Sequence, residues 1–289
     1  MVLESIITLR DVEKRPELII ITAMLSVSVA ILIATFAFNA STSMLWIAFT
    51  TIAMMPLMVR MFQVMEKREV TEKPDTMNFV ERNVEIVRIY AFFFFGVIFA
   101  TSVWFAILPP EVSNIVFAEQ VTTVSGIKAL GESMTGQFTG TALIPGDLVH
   151  NATFIFTNNM WVLGLVLLTS VIYGAGAIFV ITWNASVIGV YIGRIMNELT
   201  VNFYQGQQYG KLLAFGHGWF ITLGFLPHGL LELTAYTFGA IAGSLISAAI
   251  VQRKYRIKEF EIVFRDGVIL LVLAAFLLGV GALVEAAAI

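Results

Sequence analysis

The sequence predicts an all-α fold, a polytopic integral membrane helical bundle of about six or seven transmembrane helices, and three observations carry that prediction. Hydrophobic residues make up 58% of the chain and charged residues only 13%, about half the charged share of an ordinary soluble domain. The apolar residues fall in blocks of about twenty, the length at which a helix spans ~30 Å of hydrocarbon, whereas a soluble core helix alternates apolar and polar faces. Lysine and arginine collect at the edges of the blocks. No large polar region interrupts the pattern, so residues 1–289 read as a single membrane domain. The net charge of -3 points to no particular partner, and the absence of cysteine excludes disulfides, thiol catalysis and cysteine–metal centres.

Residues 1–17 carry Arg10, Lys14 and Arg15. The first span, 18–38, is uncharged from Leu18 to Phe38. It is too long for a signal peptide and no small-x-small cleavage site follows, so it reads as a retained helix. Pro16 suits its first turn. A short link, Asn39 to Ser43, leads to a second span from Met44 to Val59. The polar segment 60–85 carries Arg60, Lys67, Arg68, Lys73 and Arg82. The third span, Ile86 to Leu108, includes the run Phe92–Phe95 and stops at Pro109-Pro110. These three spans, within 18–108, read as ordinary anchors.

The stretch 109–157 has mixed polarity, carries Lys128, and is punctuated by Gly126, Gly131, Gly136, Gly140 and Gly146. Glu111 to about Leu130 reads as an amphipathic helix lying on the membrane. Asn151-Ala152-Thr153 fits the glycosylation triplet, a pattern common by chance. A fourth span runs from Met160 to Thr182, followed by an Asn- and Gly-punctuated piece to Met196 that does not cross. Residues 197–211 are polar. The block Leu212–Val251 is interrupted by Pro227, giving two helices that turn at Pro227-His228, or a re-entrant hairpin plus one crossing. Broken or re-entrant segments are therefore expected near Asn184 and Pro227. Arg253, Lys254, Arg256, Lys258 and Arg265 precede the last span, Gly267 to Val284.

Basic residues crowd the N-terminus, 60–85 and 253–265, and are nearly absent from 39–43 and 109–157. The positive-inside rule then places residues 1–17 and the loop 60–85 in the cytoplasm of a multi-pass cell-membrane protein, and the loop 109–157 outside. Residues 252–289 supply a cytoplasmic basic loop and the last span. Seven spans put the C-terminus outside, and a hairpin at 212–251 reduces the count to six. If Lys211 sits at the inner surface, sixteen residues at ~1.5 Å each climb only ~24 Å before Pro227, less than the ~30 Å core. Glu232 then lies near the bilayer middle, where bare helix ends and an acid need partners inside the protein.

The stretch Pro227-His228-Gly229-Leu230-Leu231-Glu232-Leu233, followed by Ala235, Gly239, Ala240 and Gly243, resembles the signature of the stage II sporulation protein M family. Phe156-Thr157-Asn158-Asn159, then Gly174, Gly176, Asn184 and Gly189, fit the same pattern. Two positions depart from it: Ala185 stands where the family usually has glycine, and Thr234 where it often has proline. The resemblance covers about 150–250, with 158–251 as the family-like core, and the first 110 residues match only as generic spans. It implies a multi-spanning membrane protein and, in spore-forming bacteria, a scaffold for cell-wall-degrading partners during engulfment.

Residue chemistry stands beside the resemblance. His228 and Glu232 are four apart and share a helix face, and an ionisable residue in the membrane is a functional-site hypothesis by default. Glu232 is either a structural tie, protonated or paired with His228, or a working group in transport. His228 and Glu232 give two metal ligands where a catalytic zinc takes three. His217 could supply a third only if two helices pack antiparallel, and neither metal nor cofactor is expected. Asn158 and Asn159 read as caps at the entry of the fourth span. Asn184 either lines a polar interior with Glu232 or bonds a neighbouring backbone. Gly189 with Gly193, and Gly239 with Gly243, clear grooves for helix packing within the chain or between copies, which makes a homodimer reasonable. No phosphate loop, catalytic triad or dinucleotide fingerprint is present, so no enzymatic activity is expected. The basic runs fit topology and lipid headgroups rather than nucleic acid. Two functions remain: a scaffold or assembly factor with membrane or extracytoplasmic protein partners, for which 109–157 is the natural surface, and a transporter or channel for a small solute, ion or lipid.

Overall fold

An uncharged run such as Leu18–Ala37 satisfies its backbone in hydrocarbon by closing every amide onto its own chain as a helix. The computed structural model describes the backbone of residues 15–38, 42–71, 79–132, 146–173, 177–223, 226–251 and 258–287. It describes the side chains of 15–38, 42–60, 86–125, 146–172, 177–222, 228–247 and 264–287. Among the described residues it holds ten helices and no strand. They are α1 (Leu18–Ala37), α2 (Thr42–Thr71), α3 (Phe79–Ile107), α4 (Pro110–Val116), α5 (Ala118–Glu132), α6 (Leu148–Tyr173), α7 (Ala177–Asn202), α8 (Gly210–Leu223), α9 (Leu226–Val251) and α10 (Lys258–Ala286). Seven are long and apolar enough to cross a membrane, namely α1, α2, α3, α6, α7, α9 and α10. The chain is a multi-pass membrane protein.

The first three crossings fall where hydropathy places them, at Leu18–Ala37, Thr42–Arg60 and Ile86–Ile107. They are not equivalent anchors, however. α3 is the most enclosed span, 61% buried, because it packs against both α1 and α7. Gly96 of α3 lies against Ile20 and Ala23 of α1, and Trp104 Nε1 donates to Ser28 Oγ at 3.0 Å, so the two helices run parallel. α2 returns antiparallel, with Ser26 Oγ donating to Met54 Sδ at 3.3 Å. Within the run Phe92–Phe95, Phe93 and Phe94 are buried in the core.

Beyond Pro109 the expected single surface helix is two. α4 starts with Pro110 at its first position, where the missing amide costs nothing, and it ends at Phe117. The break has a cause far away in sequence. Trp46 Nε1 donates to the Val116 carbonyl at 3.1 Å, taking an acceptor that the helix end leaves open. Phe117 inserts between Trp46 and Phe105, with ring centroids 5.8 and 5.6 Å away. Arg194 Nη1 of α7 then pins α5 by donating to Ser125 Oγ at 3.0 Å.

The largest correction concerns the fourth span. Instead of one crossing at 160–182 and a non-crossing piece to Met196, there are two crossings, Leu148–Ile172 and Ala177–Asn202. The helix starts at Leu148 rather than near Met160 because its polar side chains bond inside it. Asp147 Oδ1 caps the His150 amide at 3.0 Å, and the hydroxyls of Thr153 and Thr157 donate to carbonyls one turn back. The loop 109–157 therefore loses its last residues to α6. Asn151 of the glycosylation triplet is fully buried in that first turn, which removes it as an acceptor site. α7 runs unbroken through Asn184, whose Nδ2 donates to the Val180 carbonyl at 2.9 Å. Gly174 and Gly176, at the connection, lie outside the described residues.

At Pro227 the chain does not fold into two crossings, and residues 224–225 lie outside the described residues. α8 has 14 residues, ~21 Å at 1.5 Å each, short of the ~30 Å core. Pro227 sits in the first turn of α9, where it fits. α8 runs back along α7, with Gly210 against Tyr204 and Gly218 beside Ile192 and Met196. Trp219 lies on Phe99 at 5.9 Å. α9 runs parallel to α6, its Gly239 against Leu163 and its Gly243 against Ser170. Three residues join α6 to α7, so those two are antiparallel, and α8 and α9 travel in the same general sense. The expected hairpin is absent. The basic residues 253–256 and the tail 1–14 lie outside the described residues.

Glycine sets how closely these helices approach. A Cβ on Gly189 would lie 2.7 Å from Thr101 Cβ and 2.9 Å from the Ile98 carbonyl, and one on Gly193 would lie 2.8 Å from Phe105. A Cβ on Gly243 would meet Ser170 Cβ at 2.6 Å and the Leu167 carbonyl at 2.8 Å. All four flagged glycines thus serve packing within the chain. Gly189→Leu and Gly243→Leu are each expected to lower stability by about 1–3 kcal/mol, read by thermal unfolding in a fixed detergent. Gly216, with nothing within 4 Å of its added Cβ, is the control, and equal damage from Gly216→Leu would contradict the packing account.

Candidate functional site

Three polar residues of α9 stand four positions apart: His228, Glu232 and Tyr236. One turn is 3.6 residues, so the three share a stripe. That stripe faces α6, which brings Asn159 to it. Asn159 Nδ2 donates to Glu232 Oε1 at 2.6 Å, and the Tyr236 hydroxyl donates to Asn159 Oδ1 at 3.1 Å. One amide thus serves as donor to the acid and acceptor from the phenol. Asn159 and Tyr236 are only 6% and 5% exposed, so water does not supply these bonds. A bare charge inside the bilayer is costly, which is why the acid occurs with a donor against it.

α10 closes the third side. Gly281 packs on the turn from His228 to Glu232, where an added Cβ would lie 3.6 Å from Leu231 Cβ and 3.8 Å from Glu232 Cγ. One turn further along α10, Glu285 comes within electrostatic reach of both His228 and Glu232. The cluster is therefore His228, Glu232 and Tyr236 on α9, Asn159 on α6 and Glu285 on α10. It joins the three helices at a common level.

Some residues singled out in the sequence meet here and others do not. Asn159 is not a cap; it lies twelve positions into α6 and reaches Glu232. Asn158 is its exposed neighbour, its Nδ2 3.5 Å from Asn159 Oδ1. Asn184 stays out of the cluster, since its amide is engaged with its own helix. His217 is also elsewhere: on α8, with its Nδ1 hydrogen-bonded to the Tyr204 hydroxyl at 3.2 Å. Among the described residues no three His, Asp or Glu side chains converge as metal ligands. A surface cleft of about 420 Å³ lies at the α7–α8 turn, lined in part by Tyr204, Gln207, Tyr209 and Lys211, and includes none of the cluster. Tyr236 and Glu285 were missed. The first was readable as the next member of the four-residue stripe. The second stands one position past the apolar run that ends at Val284.

The sequence model of the family described as Stage II sporulation protein M matches residues 89–288. The match begins in α3, extends well beyond 150–250 on both sides, and contains every residue of the cluster. A search of curated proteins and a search of solved structures each give no match.

The three hydrogen-bonding members rank by what each removal leaves unpaired. Asn159→Ala strips a partner from both Glu232 and Tyr236 and is expected to cost about 1–2 kcal/mol. Tyr236→Phe loses one interhelical bond, worth ~0.6 kcal/mol on average in membranes. Glu232→Gln keeps an acceptor and should be close to neutral, as should Asn184→Ala. Thermal unfolding in one detergent checks the order, and an Asn184 variant as damaging as Asn159→Ala would contradict it.

Proposed function

The chain belongs to the stage II sporulation protein M family, and on that footing we propose that it is a membrane scaffold or assembly factor. The observation that supports this most is the use made of Glu232. Its carboxylate is held by Asn159 in a bundle whose helices touch at Gly189, Gly193, Gly239 and Gly243. Such a core holds helices at fixed positions. The partner-binding work falls to α4 and the start of α5, docked on the bundle by Trp46, Phe117 and Arg194. Its outward side carries Glu111, Asn114, Ile115, Glu119 and Thr122, all but the last a mixture of acid, amide and apolar groups in the open. On the charge asymmetry of the loops this side is extracytoplasmic and the N-terminus cytoplasmic. The reading assigns the chain no catalytic step.

One observation favours a second reading, transport of a small solute or ion. Glu285 adds a second carboxylate to the cluster beside His228 and Glu232. Ionisable side chains inside membrane spans mark ion and substrate pathways. The two readings separate on which residues matter. For the scaffold, Glu111→Lys with Glu119→Lys abolishes recovery of membrane or extracytoplasmic partners with the tagged full-length chain, while Glu232→Gln leaves recovery within about twofold. Solute or proton flux in proteoliposomes that disappears in folded Glu232→Gln would instead overturn the scaffold reading.

A further inference from the structure

The face of α6 turned away from the bundle carries a pattern of its own. Its span is the least enclosed of the seven, 28% buried. Asn158, Trp161, Leu165, Leu168 and Ile172 are all exposed, the last four by 71, 50, 56 and 60%. Their spacing is three, four, three, four, the heptad repeat of two helices in left-handed contact. At ~100° per residue this row lies roughly opposite the buried row Asn159, Leu163, Val166 and Ser170. The other wholly apolar exposed faces, such as Val272 and Phe276 on α10, are satisfied by lipid. Asn158 is not. It stands eleven residues into a 25-residue span, level with the Asn159–Glu232 bond. One of its N–H groups donates to Asn159 Oδ1 at 3.5 Å, an oxygen whose second lone pair accepts from Tyr236, while its own oxygen and second N–H have no partner among the described residues. An amide facing lipid within a span needs a partner that hydrocarbon does not supply.

We propose that the chain forms a parallel homodimer along this face of α6, with the Asn158 amides of two copies hydrogen-bonded across a two-fold axis normal to the membrane. A second copy is the occupant that fits. All copies insert with one orientation, so identical helices meet in parallel and in register, and a carboxamide, being both donor and acceptor, is complementary to itself. An asparagine in the first heptad position, followed by bulky apolar residues, is the arrangement that fixes register in two-stranded coils. Gly164, exposed and with nothing within 4 Å of an added Cβ, leaves room on the flank. The glycine pairs do not serve this contact, since they are occupied inside the chain.

The chain has no cysteine, so one introduced thiol reports on one position. In native membranes under oxidising conditions, full-length Leu165→Cys and Leu168→Cys are expected to form covalent dimers, whereas Phe276→Cys and Ile52→Cys, exposed on α10 and α2, are not. Adding Asn158→Leu to Leu165→Cys should weaken association roughly three- to twentyfold, and Asn158→Gln should retain it. All four sites are exposed, so the substitutions leave the packed core intact. The proposal is overturned if the α6 thiols give no dimer, if Phe276→Cys cross-links as well, if Asn158→Leu changes nothing, or if the α6 thiols capture a different protein.

Discussion

Hydrocarbon offers a polar side chain no hydrogen bond, and the single amide of Asn159 answers that constraint for two others at once. Its nitrogen donates to Glu232 and its oxygen accepts from Tyr236, which fixes the register of α6 on α9. α10 then lies on the His228–Glu232 turn through Gly281, at ordinary contact distance from Leu231 and Glu232. The later half of the bundle is therefore positioned by a polar bond at one level and by close helix approach below it, with Gly239 against the Leu163 side chain and Gly243 against the Leu167 carbonyl. Without a hydrophobic force between helices in lipid, these two devices are what remain to choose among packings.

The earlier half uses the second device with little of the first. α3 lies between α1 and α7, meeting them through Gly96, Gly189 and Gly193. The few polar bonds there, such as Trp104 to Ser28, come from uncharged side chains. The same economy explains the α4–α5 cap. Trp46 reaches from α2 to the open carbonyl at Val116, so the chain bends where its helix would have continued. A docked, bent cap over a rigid bundle suits presentation of a surface better than movement of a solute.

What could be read in the sequence was what local hydropathy decides. Leu18–Ala37 and Ile86–Ile107 came within a residue or two of their observed limits, because a strongly apolar run bordered by basic or proline residues has few alternatives. The division of 148–202 into α6 and α7 could not be read that way. Asn151, Thr153, Thr157 and Asn184 count as polar in any window, yet each lies inside a helix, and for Thr153, Thr157 and Asn184 the reason is a bond to a carbonyl of the preceding turn. The site was half legible: the four-residue stripe on α9 and the Asn158–Asn159 pair were visible, but their meeting spans 73 positions. Glu285 was hidden by its place at the very end of an apolar run.

The account stands or falls on whether Asn159 and Glu232 stabilise each other across α6 and α9. A double-mutant cycle measures this, using Asn159→Ala, Glu232→Ala and the pair, with reversible unfolding followed in bilayer-like detergent. The account predicts a favourable coupling of about 0.6–1.7 kcal/mol, the range of interhelical hydrogen bonds in membranes. Additive effects, with no coupling, would contradict it.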